Sequence, residues 1–334
     1  MKQQVKIRFQ NGMSKEWALK EILNIVLDKF EFIESDQPDF IFFAPYGNDV
    51  PAPGPYTRIG YFCENITPDL EACDWAFGIP LETEINNPKY RRIQWHNLDP
   101  QELVKVDWDA GKILESKTKF CNFFYSHPVP YREEFFRQLS KYKRVDAPGK
   151  SMNNMRPVEE IYQGDKWAVK HQFLSEYKFT IAFENNVYPG YQTEKLYDAM
   201  LCKSLPIYCG DPNVGEIFNT ESFLNAADYI KPASSPVVEF LERRSQFNFR
   251  DIRPQFYRSP TDRIQRKLKA TGKSLKLKLQ FKGLNFSDLV DQVIALDKDQ
   301  DKYIACLQQP WFNNNTPPEN ASLRNRWIEI FSAS

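Results

Sequence analysis

No stretch of this 334-residue chain approaches the roughly 20 consecutive apolar residues that a membrane-spanning helix needs. The N-terminal stretch lacks the basic start and apolar middle of a secretory leader, so none is expected. Charge of one sign is also missing. Lysine plus arginine (44) balance aspartate plus glutamate (44), which removes the global basic field that nucleic acid or an anionic surface would call for. The 3 histidines, His96, His127 and His171, lie far apart, and the 6 cysteines (Cys63, Cys73, Cys121, Cys202, Cys209, Cys306) form no C-x-x-C pair. Zinc-ligand spacing and a disulfide framework are therefore both absent, and reduced thiols in a cytosol fit best. Two acidic patterns fail on inspection. Asp107-Trp108-Asp109 has no flanking apolar strand, and the Asp297–Asp301 run lacks the central glycine and distal glutamate of a calcium loop, so both read as solvated surface. No glycine-flanked serine elbow supports a hydrolase triad.

What remains is an α/β pattern. Val5–Phe9, Phe40–Phe43, Arg58–Cys63, Trp75–Gly78 and Arg91–His96 read as strands, and Glu16–Phe30 carries a helical apolar stripe. The Pro-rich segment Pro45–Tyr56 reads as loop. A charged passage from Leu98 to Lys119 marks a change of domain. After it Phe120–Tyr125 reads as a strand, Tyr131–Tyr142 as a helix and Arg144–Val145 as a short strand. The reading is two Rossmann-like sheets: residues 1–115, residues 116–300, and a helical tail at 301–334 that packs back on the first. Arg263–Phe281 carries lysine or arginine at seven positions among leucines. A basic amphipathic helix lying on an anionic membrane is one reading, and a solvated face on a helix packed against the body is the one favoured by the neutral whole.

The chain is organised around Tyr177–Gly210, which reads strand, loop, helix, strand. Such a crossover joins parallel strands, and ligands of open α/β sheets collect at the carboxyl ends of the strands. Glu184, Asn185, Tyr191, Glu194 and Lys195 cluster there, with Thr193 placed to cap the helix, so a phosphate is expected beside Lys195. Lys150 and Arg156, after the preceding strand, are further candidates for neutralising a diphosphate without a metal. Glu64 ends a buried-looking strand, where a carboxylate serves equally well as general base or as a turn cap. Glu184 is open to the same two readings. The sequon Asn65-Ile66-Thr67 follows Glu64 directly, and a glycan there would obstruct a site at Glu64, which disfavours passage through a secretory lumen.

Three ordered stretches resemble a known family, the GDP-fucose-dependent α-1,3/4-fucosyltransferases, the soluble bacterial members in particular. They are FENNVYPGYQTEKLYDAML followed by LPIYCGDPNV, then RIGYFCENITPDLEACDWAFGI, and FYSHPVPYREEFFRQLSKYKRVDAPG. The resemblance implies a GT-B fold: two Rossmann-like domains facing each other across a cleft, the first taking an oligosaccharide acceptor and the second GDP-fucose. It implies an inverting single displacement, α-1,3 linkage favoured, onto a GlcNAc or glucose hydroxyl. Glu64 would take the acceptor proton. Lys195, Tyr191 and Lys150 or Arg156 would steady the leaving diphosphate, Glu194 the ribose, and Asn185 the nucleotide. Trp75 and Trp95 are candidates for the acceptor side. The family's arginine after the glycine turn is replaced in GKSMNNMRP, where Asn153 stands in its place. No cofactor and no protein metal site is expected, with a divalent cation at most a stimulant. A catalytically silent GDP- or glycan-binding module, and a transferase for another GDP-sugar, are the alternatives. The location expected is cytoplasmic, with peripheral contact at the inner membrane face through Arg263–Phe281.

Overall fold

A computed structural model describes residues 2–63, 66–93, 98–230, 235–252, 258–281, 284–318 and 323–332. They divide into two compact units, one of Met1–Leu98, Ala233–Gln280 and Glu319–Ser334, the other of Asp99–Pro232 and Phe281–Pro318. Among the described residues no helix is long and apolar enough to cross a membrane.

The first unit holds a parallel sheet of β1 (Gln3–Gln10), β2 (Phe30–Glu34), β3 (Phe40–Phe43), β4 (Thr57–Phe62), β5 (Trp75–Gly78) and β6 (Tyr90–Arg92), in the order β2-β1-β3-β4-β5-β6. β3, FIFF, is buried on both faces, as a central parallel strand must be. The helix expected over Glu16–Phe30 stops early, spanning only Lys15–Glu21, where Ser14 caps it by accepting from the Trp17 amide. A 3-10 turn, Asn24–Val26, follows, and Phe30 opens β2. The reason is the alternation in FEFIE: Phe30 and Phe32 both reach the core only with a period of two, so the strand wins over the helical stripe. The edge strand expected to run to His96 is limited to Tyr90–Arg92, and residues 94–97 lie outside the described residues.

The partition departs from the contiguous division at 115 and 300. Segment 235–252 rejoins the first unit because the Thr67 amide donates to the Phe247 carbonyl (3.0 Å) and the Phe249 amide to the Thr67 carbonyl (3.2 Å). The Phe249 ring then sits edge-on to Phe62 at 5.5 Å. The final helix, Arg324–Ser332, lays Trp327, Ile330 and Phe331 on the same sheet. Phe331 meets Phe32 and Phe40 edge-on at 5.0 and 5.1 Å, and Trp327 lies 4.1 Å from Phe77.

The second unit holds β7 (Lys119–Asn122), β8 (Val145–Asp146), β9 (Tyr177–Phe183), β10 (Leu205–Cys209) and β11 (Leu224–Asn225), all parallel, in the order β11-β10-β9-β7-β8. The chain leaves β7 through the Pro130–Leu139 helix to β8 on one side, then crosses through the Lys166–Ser175 helix to β9 on the other. The strand order therefore reverses between β7 and β9, which opens a crevice at their carboxyl ends. Helices Ser287–Lys298 and Gln300–Gln308 close the back of this sheet. Asp297 pairs with Lys178 (2.8 Å) and Lys143 (3.2 Å), and Tyr303 packs on Phe179 at 5.4 Å.

Candidate functional site

A cavity of about 360 Å³ occupies that reversal point, lined by residues just past β7 (Tyr125, His127), just past β9 (Asn185), and by two helices that supply Lys166, Lys170, Glu194, Lys195 and Asp198. The sequence puts the charges there for a local reason. β9 ends on the apolar run Ile181–Phe183, and the polar side chains begin where the backbone leaves the sheet at Glu184 and Asn185.

Lys195 is fixed from three sides. Its Nζ lies 2.8 Å from the Thr193 hydroxyl and 3.3 Å from both Glu184 Oε2 and Glu194 Oε1. Burial pulls the ammonium pKa down, but the charges of Glu184 and Glu194 outweigh it and the pKa ends above the ordinary lysine value. Glu194 shows the mirror effect. Burial pushes its carboxyl up, yet Lys195 and Lys170 hold it at about 2. Both are therefore charged at neutral pH.

Glu184, one of the two carboxylates open to a catalytic or a structural reading, is wholly buried and accepts from the Thr193 amide (2.8 Å) and hydroxyl (2.7 Å). Burial raises its pKa against the opposing pull of Lys195. Its oxygens hold the helix start and the Lys195 ammonium in register. Thr193 is the N-cap residue by position, but its hydroxyl turns to Glu184 and makes no cap bond to the Glu194–Leu201 helix. The cap expected of it gives way because the hydroxyl donates to Glu184 and accepts from the Lys195 ammonium instead of from a helix amide.

Three organising residues were not singled out in the sequence. Arg132 is fully buried, its guanidinium 3.5 Å from the Tyr125 ring centre. It donates to Asn185 Oδ1 (3.0 Å), the Phe183 carbonyl (3.3 Å) and the His127 carbonyl (2.5 Å), so its hydrogen-bond acceptors are neutral groups. Its Nε is buried with no acceptor among the described residues. Tyr125 in turn donates to the Ile181 carbonyl (2.6 Å) and accepts from the Phe183 amide (2.8 Å), tying the loop after β7 to β9. Asp211 accepts from the Gly190 amide (2.8 Å), Gln192 Nε2 (2.7 Å) and the Asn213 amide (2.9 Å), and so holds the loop that carries buried Tyr191. Gly190 there takes φ +77°, a conformation open to glycine at little cost.

Of the residues singled out in the sequence, Asn185, Glu194 and Lys195 line one cavity, with Tyr191 buried in the adjoining loop. Lys150 and Arg156 are exposed and do not line it. Asn153 turns its amide to the carbonyls of Ala147 (3.4 Å), Pro148 (3.2 Å) and Met155 (3.1 Å). Trp75 opens β5 with the Arg326 guanidinium 5.3 Å from its ring. Glu64 and Trp95 lie outside the described residues. The acids set aside as surface have other duties. Asp109 caps the Ala110–Glu115 helix and Asp299 the Gln300–Gln308 helix. Among the described residues no group of three or more His, Cys, Asp and Glu is placed to hold a metal ion.

Two family profiles match. Residues 7–98 match the α-(1,3)-fucosyltransferase FucT N-terminal domain, and residues 114–246 match the C-terminal part of glycosyltransferase family 10 (fucosyltransferase). The chain belongs to the family 10 fucosyltransferases. This family 10 chain is 37% identical over 114 residues to the α-(1,3)-fucosyltransferase FucT of Helicobacter pylori, covering 34% of the chain and 22% of that protein. It is 33% identical over 118 residues to α-(1,3)-fucosyltransferase B of Drosophila melanogaster, covering 34% of the chain and 26% of that protein. The matched stretch is thus about a quarter of these relatives' own length. An α1,3-fucosyltransferase crystallised with GDP-fucose superposes with a TM-score of 0.64 at 19% identity, covering 100% of this chain and 90% of that one. The fold is therefore of the GT-B type seen in these neighbours, with one parallel sheet in each unit.

Proposed function

We propose that this chain transfers L-fucose from GDP-fucose to a hydroxyl of a GlcNAc or glucose residue in an oligosaccharide, with inversion and in α-1,3 linkage. The observation that carries the proposal is the pair of cations at the reversal-point cavity: buried Arg132, whose hydrogen-bond acceptors among the described residues are neutral, and protonated Lys195 at a helix start. A doubly charged leaving group is what such a pair favours. GDP-fucose is also the ligand with which the α1,3-fucosyltransferase of the same fold was crystallised.

In this reading the diphosphate lies against Lys195 and Tyr191, with Lys150 or Arg156 as a further cation. The ribose hydroxyls bond Glu194, which stays a carboxylate and hence an acceptor at any working pH. Asn185 meets the nucleotide, its carbonyl already turned by Arg132. The acceptor hydroxyl oxygen attacks the anomeric carbon, the bond from that carbon to the β-phosphate oxygen breaks, and its electron pair leaves with GDP. The acceptor proton passes to Glu64, and Trp75 and Trp95 take the acceptor's sugar faces. Stabilisation of charge that grows only as the C–O bond breaks is what lowers the barrier.

The test is incubation with GDP-fucose and an N-acetyllactosamine acceptor, with the anomeric configuration and linkage of the product read by NMR. An α-linked product from the β-configured donor establishes inversion, whereas wild-type turnover in Glu64→Ala or Lys195→Ala removes the assigned roles. Asn153, already bonded to three loop carbonyls, favours a second reading, a silent GDP-binding module. Tight GDP binding by calorimetry with no turnover across acceptors and GDP-sugars would establish it.

A further inference from the structure

The cavity at the reversal point has a deep end that the charged cluster does not account for. Asn122 closes β7 and pairs with Thr180 in β9, three residues before that strand ends at Phe183. At about 3.3 Å per residue, the pair sits about 10 Å below the strand end. Both line the cavity, as do Leu174 of the Lys166–Ser175 helix and Asp198 of the Glu194–Leu201 helix. The space therefore runs down between the sheet and the two helices that cover it.

At the bottom stands an acceptor with no donor. Asn122 is 0% exposed, and its Nδ2 donates to the Phe179 carbonyl (3.2 Å) and to the Thr180 hydroxyl (2.8 Å). The carbonyl fixes the orientation of the amide, because it can only accept and the atom facing it must be the nitrogen. The Thr180 hydroxyl accepts from that nitrogen, which leaves its own hydrogen for Ser204 Oγ at 2.8 Å. Both amide hydrogens are thereby used, and Oδ1 has no partner among the described residues. Buried polar atoms are paired in folded proteins with few exceptions, so an orphan that lines a cavity is a place for a ligand's donor.

The walls narrow the choice of ligand. Phe124, Leu174 and the partly exposed Trp167 line the same cavity and offer flat or apolar surface, so the donor belongs on the edge of an aromatic ring rather than on a sugar. The direction follows from the charged end. Lys195 stands 3.3 Å from Glu194, Glu194 4.0 Å from Lys170, and Lys170 2.5 Å from Asp198, a row that leads from the diphosphate and ribose positions toward these walls. Resting on the donor reading above, we infer that Asn122 reads the base of the nucleotide: its Oδ1 accepts from the exocyclic 2-amino group of guanine and so selects GDP over ADP. Adenine carries only a C–H at that position. A buried acceptor left unpaired by the wrong ligand rejects it more strongly than a missing apolar contact does. Hypoxanthine differs from guanine by this amino group alone and is disfavoured for the same reason.

The test is calorimetry of the full chain with GDP, inosine diphosphate and ADP. Wild type should bind GDP at least about tenfold more tightly than inosine diphosphate, and ADP no more tightly than inosine diphosphate. Asn122→Ala should bring GDP down to the affinity of inosine diphosphate and leave the latter unchanged, whereas a purely structural role for Asn122 would weaken both alike. Asn122→Ser carries the same expectation and serves if thermal melting shows that the alanine variant does not fold. Equal affinity of the wild type for GDP and inosine diphosphate overturns the inference without any variant and gives Oδ1 to a water. So does a folded variant that keeps the wild-type preference, or one that loses affinity for both nucleotides equally. A wild-type chain that binds none of the three overturns the donor reading and the base reading with it, so GDP alone tells the two failures apart.

Discussion

Replacing Lys195 by methionine separates its structural duty from the one proposed for it toward the diphosphate. The ammonium stands 3.3 Å from Glu184 Oε2, and Glu184 is wholly buried, so the variant leaves a buried carboxylate with only the Thr193 amide and hydroxyl as donors. Breaking a buried pair by removing one partner costs about 3–5 kcal/mol. Part of that penalty belongs to the abandoned carboxylate, so Glu184→Gln/Lys195→Met should be more stable than Lys195→Met alone, by about 1–2 kcal/mol. Affinity for GDP should not recover with it. A charge-assisted contact to phosphate is worth about 1.5–3 kcal/mol, so both variants should bind GDP roughly 10- to 150-fold more weakly than wild type. Urea denaturation gives the first comparison and calorimetry with GDP the second. If the double variant binds GDP as wild type does, Lys195 does not touch the diphosphate. If Lys195→Met is as stable as wild type, the buried pair does not organise the helix start.

Asp211→Ala removes the acceptor for the Gly190 and Asn213 amides and for Gln192, and should cost about 1–3 kcal/mol in denaturant while weakening GDP binding through the freed Tyr191 loop. An unchanged GDP affinity in a folded Asp211→Ala chain would detach that loop from the donor site. Glu194 titrates at about 2 in the folded chain against an ordinary 4.5, so the unfolded chain binds the proton first as the pH falls. Its stabilisation is whole above pH 4.5 and is lost as the pH drops through the folded value, so the stability gap between wild type and Glu194→Gln should close over that window. A gap independent of pH would contradict the pairing with Lys195 and Lys170. A Cβ at Gly149 would lie 2.1 Å from the Tyr125 carbonyl oxygen, so Gly149→Ala should lower the melting temperature and shift the near-ultraviolet signal of Tyr125. Trp327→Ala, emptying the site beside Phe77 on the first sheet, should cost about 3–5 kcal/mol in urea.

These residues also show why part of the site could be read in advance and part could not. Glu194 and Lys195 follow a loop and open an apolar-patterned helix, so their place at the carboxyl end of a strand was fixed by the period of the sequence on either side. Arg132 left a fainter trace. Arg132, Phe135, Phe136 and Leu139 share one buried helix side, and an arginine in an apolar stripe is the signal of a buried cation. Asp211 left none: its partners Gly190 and Gln192 lie across a helix and a strand, and only parallel pairing of β9 with β10 brings them within reach. The helix Pro260–Gln280, which buries Lys276 and leaves Leu268 exposed, belongs to the same class. Its heptad-like leucines read as an inward face, and the deciding facts are that Asp251 and Glu242 sit where they can accept Lys269 and Lys276. Local periodicity locates an apolar stripe, but tertiary charge partners determine which way it points. That is why the polar cluster of the candidate site, built on strand ends, was legible, while the orientation of the basic helix required the fold.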